Sequence, residues 1–107
     1  MPAAEQYSDR VLSAGPASFV AKGEVDLATA DDLVAAALLA LDDVPPGDAF
    51  VLDLGAVTFM DCVGVAALLA IRTSSTERGR AFAIRNAPQC VRRILSITGL
   101  DRELDMF

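Results

Sequence analysis

The chain has 107 residues and suits one domain, because a core of that size can bury enough apolar surface to offset backbone ordering, whereas two separate cores could not. Hydrophobic residues make up 53% of it and charged residues 22%, which excludes a disordered chain and fits a globular fold. A net charge of −6 argues against nucleic acid or an anionic membrane as partner, since both call for a basic surface, and leaves a protein or a small molecule.

In chain order, residues 1–7 are expected to be a flexible N-terminus. Met1 to Asp9 carries Glu5 and Asp9, with no basic start and no apolar run, so it reads as neither secretory signal nor transit peptide and the expected location is the cytoplasm. Gly15-Pro16 is a turn signal between two short β-prone stretches, which predicts an opening hairpin with strands over about 8–14 and 17–23. After Gly23-Glu24-Val25-Asp26 the pattern becomes helical: Ala30, Leu33, Val34, Ala37, Leu38 and Leu41 share one face, with Asp31, Asp32 and Asp42 between them. Thr29 or Asp26 is placed to cap that helix, the early acids favour its positive dipole end, and Pro45-Pro46-Gly47 forbids its continuation.

Phe50 to Leu54 is a short apolar run expected as a central strand buried on both faces and ended by Gly55. A connector over Ala56 to Met60 then leads to Asp61, and Val63 to about Arg78 reads as a largely apolar helix that must pack on a sheet and that Gly79 stops. Its continuous apolar part, Val63 to Ile71, is nine residues, well short of the roughly 20 needed to cross a membrane. Ala81 to Ile84 is a further buried strand, and Val91, Ile94, Leu95 and Thr98 mark a last helix closed by Gly99, with Arg92 and Arg93 facing outward. The order β, β, α, β, α, β, α predicts an α/β fold with a mixed central sheet, an N-terminal hairpin and right-handed crossover helices.

The charge is unevenly placed. Residues 1–65 hold eleven acids against Arg10 and Lys22, while residues 66–107 hold seven arginines against four acids. The acidic half is either a surface that steers a more basic protein partner or a set of ordinary solvated helix faces. Cys62 and Cys90 are too few for a disulfide framework, and with no histidine there is no zinc site and no histidine-based acid–base chemistry. Cys62 lies near a helix N-terminus, where a thiol can become a redox-sensitive thiolate, and Cys90 starts the last helix at what the topology makes the same edge of the sheet. The two are therefore redox candidates, or else small half-buried packing residues. Asp26 and Asp61 could be read as a carboxylate pair, but capping explains both, and neither a nucleophile nor a base accompanies them, so no catalytic residue is expected. No phosphate-cradling glycine motif occurs, and no cofactor or metal is implied. A helix start at Asp61 would favour both that carboxylate and an added phosphate, which makes it a natural switch position.

Gly23-Glu24-Val25-Asp26, Val51-Leu52-Asp53-Leu54, Phe59-Met60-Asp61-Cys62-Val63-Gly64, and Val91-Arg92-Arg93-Ile94-Leu95 with Thr98-Gly99-Leu100 stand in this order along the chain. Together they resemble four landmarks of the STAS domains of bacterial anti-sigma factor antagonists: the Gly-Glu-Leu-Asp turn, the central strand, the switch loop, and the C-terminal helix with its cap. The resemblance runs from about Ser18 to Asp105 and implies a single STAS-like domain with its core over about 8–105. It also implies a partner switch. The unmodified antagonist binds an anti-sigma factor, usually a serine kinase of histidine-kinase-like ATPase fold, and so frees a sigma factor; phosphorylation of a switch-loop hydroxyl ends the complex. The resemblance places Glu24, Asp26, Met60, Asp61, Cys62, Val63 and Gly64 at the partner-binding face. The family's phospho-acceptor immediately precedes the glycine, and here that residue is Val63, which has no hydroxyl, so the phospho-switch is expected to be absent. The alternative is a STAS scaffold or a ligand- or redox-sensing subunit of a signalling complex, with other STAS proteins as partners. A homodimer stays open.

Overall fold

The computed structural model describes residues 18–107. Eight elements follow in order: β1 (Ser18–Val25), α1 (Ala30–Asp42), β2 (Phe50–Met60), α2 (Cys62–Glu77), β3 (Phe82–Arg85), α3 (Gln89–Thr98), a 3₁₀ turn (Leu100–Arg102) and β4 (Asp105–Met106). The strands form one sheet in the order β1-β2-β3-β4, and each neighbouring pair is parallel. The α/β class is as expected. The antiparallel part of the expected mixed sheet rests on the hairpin strand over 8–14, which lies outside the described residues, as does the N-terminus over 1–7.

Parallel neighbours in sequential order require a crossover between each pair, and right-handed crossovers stepping one way across the sheet put their helices on one face. Burial agrees with this. Phe19, Ala21, Phe50, Leu52, Leu54 and Ile84 are almost wholly buried, whereas the alternating Val20, Lys22, Val51, Asp53, Ala83 and Arg85 are half-buried. Among the described residues the helices thus pack tightly on one face of the central strand, while Val51 and Asp53 on the other face are half-buried and not fully buried as the apolar run suggested. Its polar member on the other face is neutralised across the ladder: Asp53 stands in register with Arg85, whose Nη2 and Nε donate to Asp53 Oδ2 at 3.0 and 3.2 Å. A short apolar run says that a strand is central but cannot say how many of its faces are covered.

Helix α2 lies between α1 and α3 and over β2 and β3. A helix with neighbours on three sides has little surface left for polar residues, which accounts for its apolar first ten positions. Ser75, fully buried near its C-terminal end, is satisfied by donating to the Arg80 carbonyl at 2.9 Å. Helix α3 buries only Val91 and Leu95 fully and ends at Gly99, whose φ of +78° is the left-handed conformation that a glycine C-terminal stop supplies.

Strand β2 does not stop at Gly55; it runs on to Met60. The register against β1 slips twice, between Val20 and Lys22 and between Gly23 and Glu24, so that β2 carries an extra residue at each slip. These are bulges, and Gly55 is the kind of residue that permits one. Its N–H is turned to Asp53 Oδ1 at 2.8 Å instead of into a regular ladder. The side-chain alternation changes accordingly: Leu54, Val57 and Met60 are buried at intervals of three, leaving Thr58 and Phe59 outside. The expected connector over Ala56 to Met60 is therefore strand, because β1 runs beside it and supplies ladder partners as far as Val25.

Candidate functional site: a turn and a helix tip at one end of the sheet

The β1–β2 register ends by pairing Glu24 with Phe59 and Val25 with Met60. It therefore delivers two connections to the same edge of the sheet: the turn that leaves β1 and the helix tip that follows β2. The ends of parallel strands are where α/β folds expose their variable loops. The Asp61 N–H reaches back to the Val25 carbonyl at 3.4 Å, tying the two segments directly.

The turn is held by its own polar groups. Thr29 Oγ1 donates to the Glu24 carbonyl at 2.7 Å and accepts from the Asp26 N–H at 3.0 Å, while Asp26 Oδ1 accepts from the Ala28 N–H at 3.0 Å. Neither side chain caps α1, contrary to the expectation for Asp26 and Thr29; both are spent on the turn, and the Asp26 backbone carbonyl accepts from the Ala30 N–H at 2.8 Å. The cost of a capless start is offset by Asp31 and Asp32 in the first turn, whose charge suits the positive helix end. Leu27 projects from this braced turn at 81% exposure.

The tip obeys the cap expectation. Asp61 is extended, and its Oδ1 accepts from the N–H groups of Val63 at 2.9 Å and Gly64 at 3.2 Å, two of the donors a helix start leaves unpaired. Such a cap contributes about 1 kcal/mol. Cys62 and Val63 are exposed on the first turn, whereas Gly64 is buried. A Cβ built on Gly64 would stand 2.8 Å from the Val25 carbonyl oxygen and 2.5 Å from Met60 Cγ, so a side chain of any size would lift the helix off the strand ends. Gly64 and Met60, the latter 5% exposed, accordingly underpin the tip rather than forming its surface.

Of the residues expected at a partner-binding face, the structure brings Glu24, Asp26, Asp61, Cys62 and Val63 to one end of the sheet with Met60 and Gly64 beneath. It adds Leu27 and Phe59, the latter 45% exposed. Leu27 could have been found as an apolar residue stranded in a polar turn outside the helical period. Phe59 could not, because its exposure depends on the bulge that precedes it. Three apolar side chains among three carboxylates make a surface suited to a protein, and both aspartates already spend an oxygen on backbone donors. No group of three acids or cysteines placed to share a metal occurs among the described residues. Cys62 and Cys90 are both free thiols, the first exposed and the second half-buried. No helix among the described residues is long and apolar enough to cross a membrane.

Residues 12–106 match the family described as "Mlab, STAS domain". The chain belongs to the STAS domain family. An anti-sigma factor antagonist from Mycobacterium paratuberculosis is similar at 31% identity, with a TM-score of 0.69 over 84% of this chain and 74% of that one. Two further solved structures share the fold at lower identity. A Thermotoga maritima protein described as an anti-sigma factor antagonist is 22% identical, with a TM-score of 0.68 over 83% of this chain and 77% of that one. The anti-sigma factor antagonist SpoIIAA in its unphosphorylated form is 18% identical, with a TM-score of 0.65 over 84% and 77%. No curated protein sequence matches the chain.

Proposed function

We propose that this chain, as a single STAS domain with its core over about 8–105, is a cytoplasmic anti-sigma factor antagonist. It acts as a binding module and not as an enzyme. Its docking face is the Glu24 to Leu27 turn together with the Asp61 to Val63 tip, and its partner is an anti-sigma factor of the serine-kinase kind, whose capture releases a sigma factor. The observation that carries the reading is the β1–β2 register, which sets the braced turn beside the capped tip and leaves Leu27, Phe59 and Val63 exposed between carboxylates. The 31% identity to an anti-sigma factor antagonist supports it independently. Because Val63 stands where the family carries its acceptor hydroxyl, the complex is not ended by phosphorylation at that position.

Retention from extracts of the native host tests the reading. The immobilised wild-type chain should hold a serine-kinase anti-sigma factor, and a Leu27→Lys variant should lose it, since burying an ammonium in an apolar contact and setting it against a basic partner costs several kcal/mol. Leu27 is too exposed for that change to unfold the chain. Equal retention by both chains would remove the turn from the docking face. A second reading, a scaffold subunit among other STAS proteins, is one for which the missing hydroxyl at Val63 is no handicap. Retention of STAS proteins in a stable high-order complex, with no anti-sigma factor, would select it.

A further inference from the structure

Helix α3 carries a second apolar stripe beyond the one it buries. Val91 and Leu95 face the core, whereas Cys90, Ile94 and Ile97 follow at the i, i+4, i+7 spacing of another face, and Ile97 is 77% exposed. That stripe forms one wall of a groove of about 490 Å³, with Phe59 opposite and Met60 in the lining. Among the described residues the one charged residue lining it is Arg93. Its neighbour Arg92 is tied to the Ala87 carbonyl and Arg85 to Asp53, but Arg93 has no hydrogen bond or ion pair among the described residues. A largely apolar groove with one guanidinium that is unpaired among the described residues is complementary to an apolar segment that carries an acid.

We propose that this groove docks an amphipathic helix of the partner protein, with its apolar stripe on Phe59, Ile94 and Ile97 and a Glu or Asp paired to Arg93. The seven-residue step from Cys90 to Ile97 spans about 10 Å of helix axis, room for about two turns of a docked helix. The groove is continuous with the tip, because Phe59 and Met60 lead directly into Asp61. The partner is taken to be the same anti-sigma factor, and to that extent the proposal rests on the preceding reading. Its chemical demand is different: the acidic turn and tip call for a basic contact, the groove for an acidic and apolar one. A partner that meets both is fixed in orientation as well as held.

Site-resolved alkylation of the wild-type chain with iodoacetamide tests this, because Cys90 lines the groove and Cys62 lies on the tip outside it. The probes are two synthetic amphipathic peptides of about 14 residues, some 21 Å when helical. Each has leucines at i, i+4 and i+7, flanked by glutamates in one peptide and lysines in the other. The glutamate peptide should slow alkylation of Cys90 about tenfold, as expected of an occupied site, and leave Cys62 unchanged. The lysine peptide should not slow it, and Arg93→Glu should reverse the preference. Equal slowing by both peptides, or by neither, overturns the proposal. So does slowing by dodecanoate but by neither peptide, which would make the groove a site for a lipid-like carboxylate. With the anti-sigma factor retained by the wild-type chain as a further probe, slowing at both thiols supports both readings. Slowing at Cys62 alone overturns the groove and leaves the tip; slowing at Cys90 alone does the reverse.

Discussion

Replacing Gly64 with alanine is expected to destabilise the chain by about 1–3 kcal/mol, the range for overpacking a tight contact. The added methyl would meet two different kinds of neighbour. Met60 Cγ, at 2.5 Å, belongs to a flexible side chain and can move. The Val25 carbonyl oxygen, at 2.8 Å, is backbone at the end of β1 and accepts the Asp61 N–H, so it cannot yield without breaking the contact that holds turn and tip together. The first turn of α2 must lift instead. In a chain of this size each kcal/mol lowers the melting temperature by about 4–8 °C, so thermal unfolding followed by circular dichroism reads the effect easily. A useful contrast is Gly79→Ala, where a Cβ would meet nothing within 4 Å and only the φ of +73° opposes the change. A Gly64→Ala melting curve superimposable on wild type would show that the helix start is looser than the structure has it.

Much of this was legible in the residues, and what was not has identifiable causes. Asp61 was readable as a cap because an aspartate before an apolar helical run has one dominant use. Gly99 and Gly79 were readable as helix stops for a similar reason, and both have positive φ. Gly55 misled, since a glycine ending an apolar run looks the same whether the strand stops or bulges; the difference is made by β1, which lies alongside and keeps pairing. Asp26 and Thr29 misled in the opposite way. Both are good capping residues, but the Glu24 carbonyl and the Ala28 N–H lie closer to hand than the helix amides, and the side chains satisfy those instead. The groove along α3 was invisible because Ile94 and Ile97 are indistinguishable from core residues until the sheet sets Phe59 across from them. Strand β4, two residues long and paired to Ala83 and Ile84, is too short to leave any periodic trace.

On the proposed reading, Val63→Ser is expected to create a phospho-switch on the tip. Val63 is on the first turn of α2, 36% exposed, with its N–H donating to Asp61 Oδ1. A serine hydroxyl there would be open to a kinase that docks on the tip, and a phosphate on it would sit at a helix N-terminus, which favours an anion. The modified tip would gain about −1.5 to −2 charges beside Asp61, within a contact that packs against another protein. Incubation with the retained kinase and ATP should place close to one phosphate per chain on Ser at position 63 in the variant and none over residues 61–65 in wild type. Affinity for the partner should fall at least about tenfold after modification, a loss of about 1.4 kcal/mol. Stoichiometric phosphate on Thr58 of the wild-type chain, which the β2 bulge leaves exposed, would mean that the switch has been relocated rather than lost.

The central claim is that the turn after β1 and the tip after β2 form one docking face, and amide hydrogen exchange of the complex with the anti-sigma factor tests it most directly. Exchange should slow together over residues 24–29 and 62–65 and stay unchanged over residues 36–42, in the second half of α1 away from that end of the sheet. Slowing confined to the Arg78–Arg80 end of the molecule, with the turn and the tip unaffected, would contradict it.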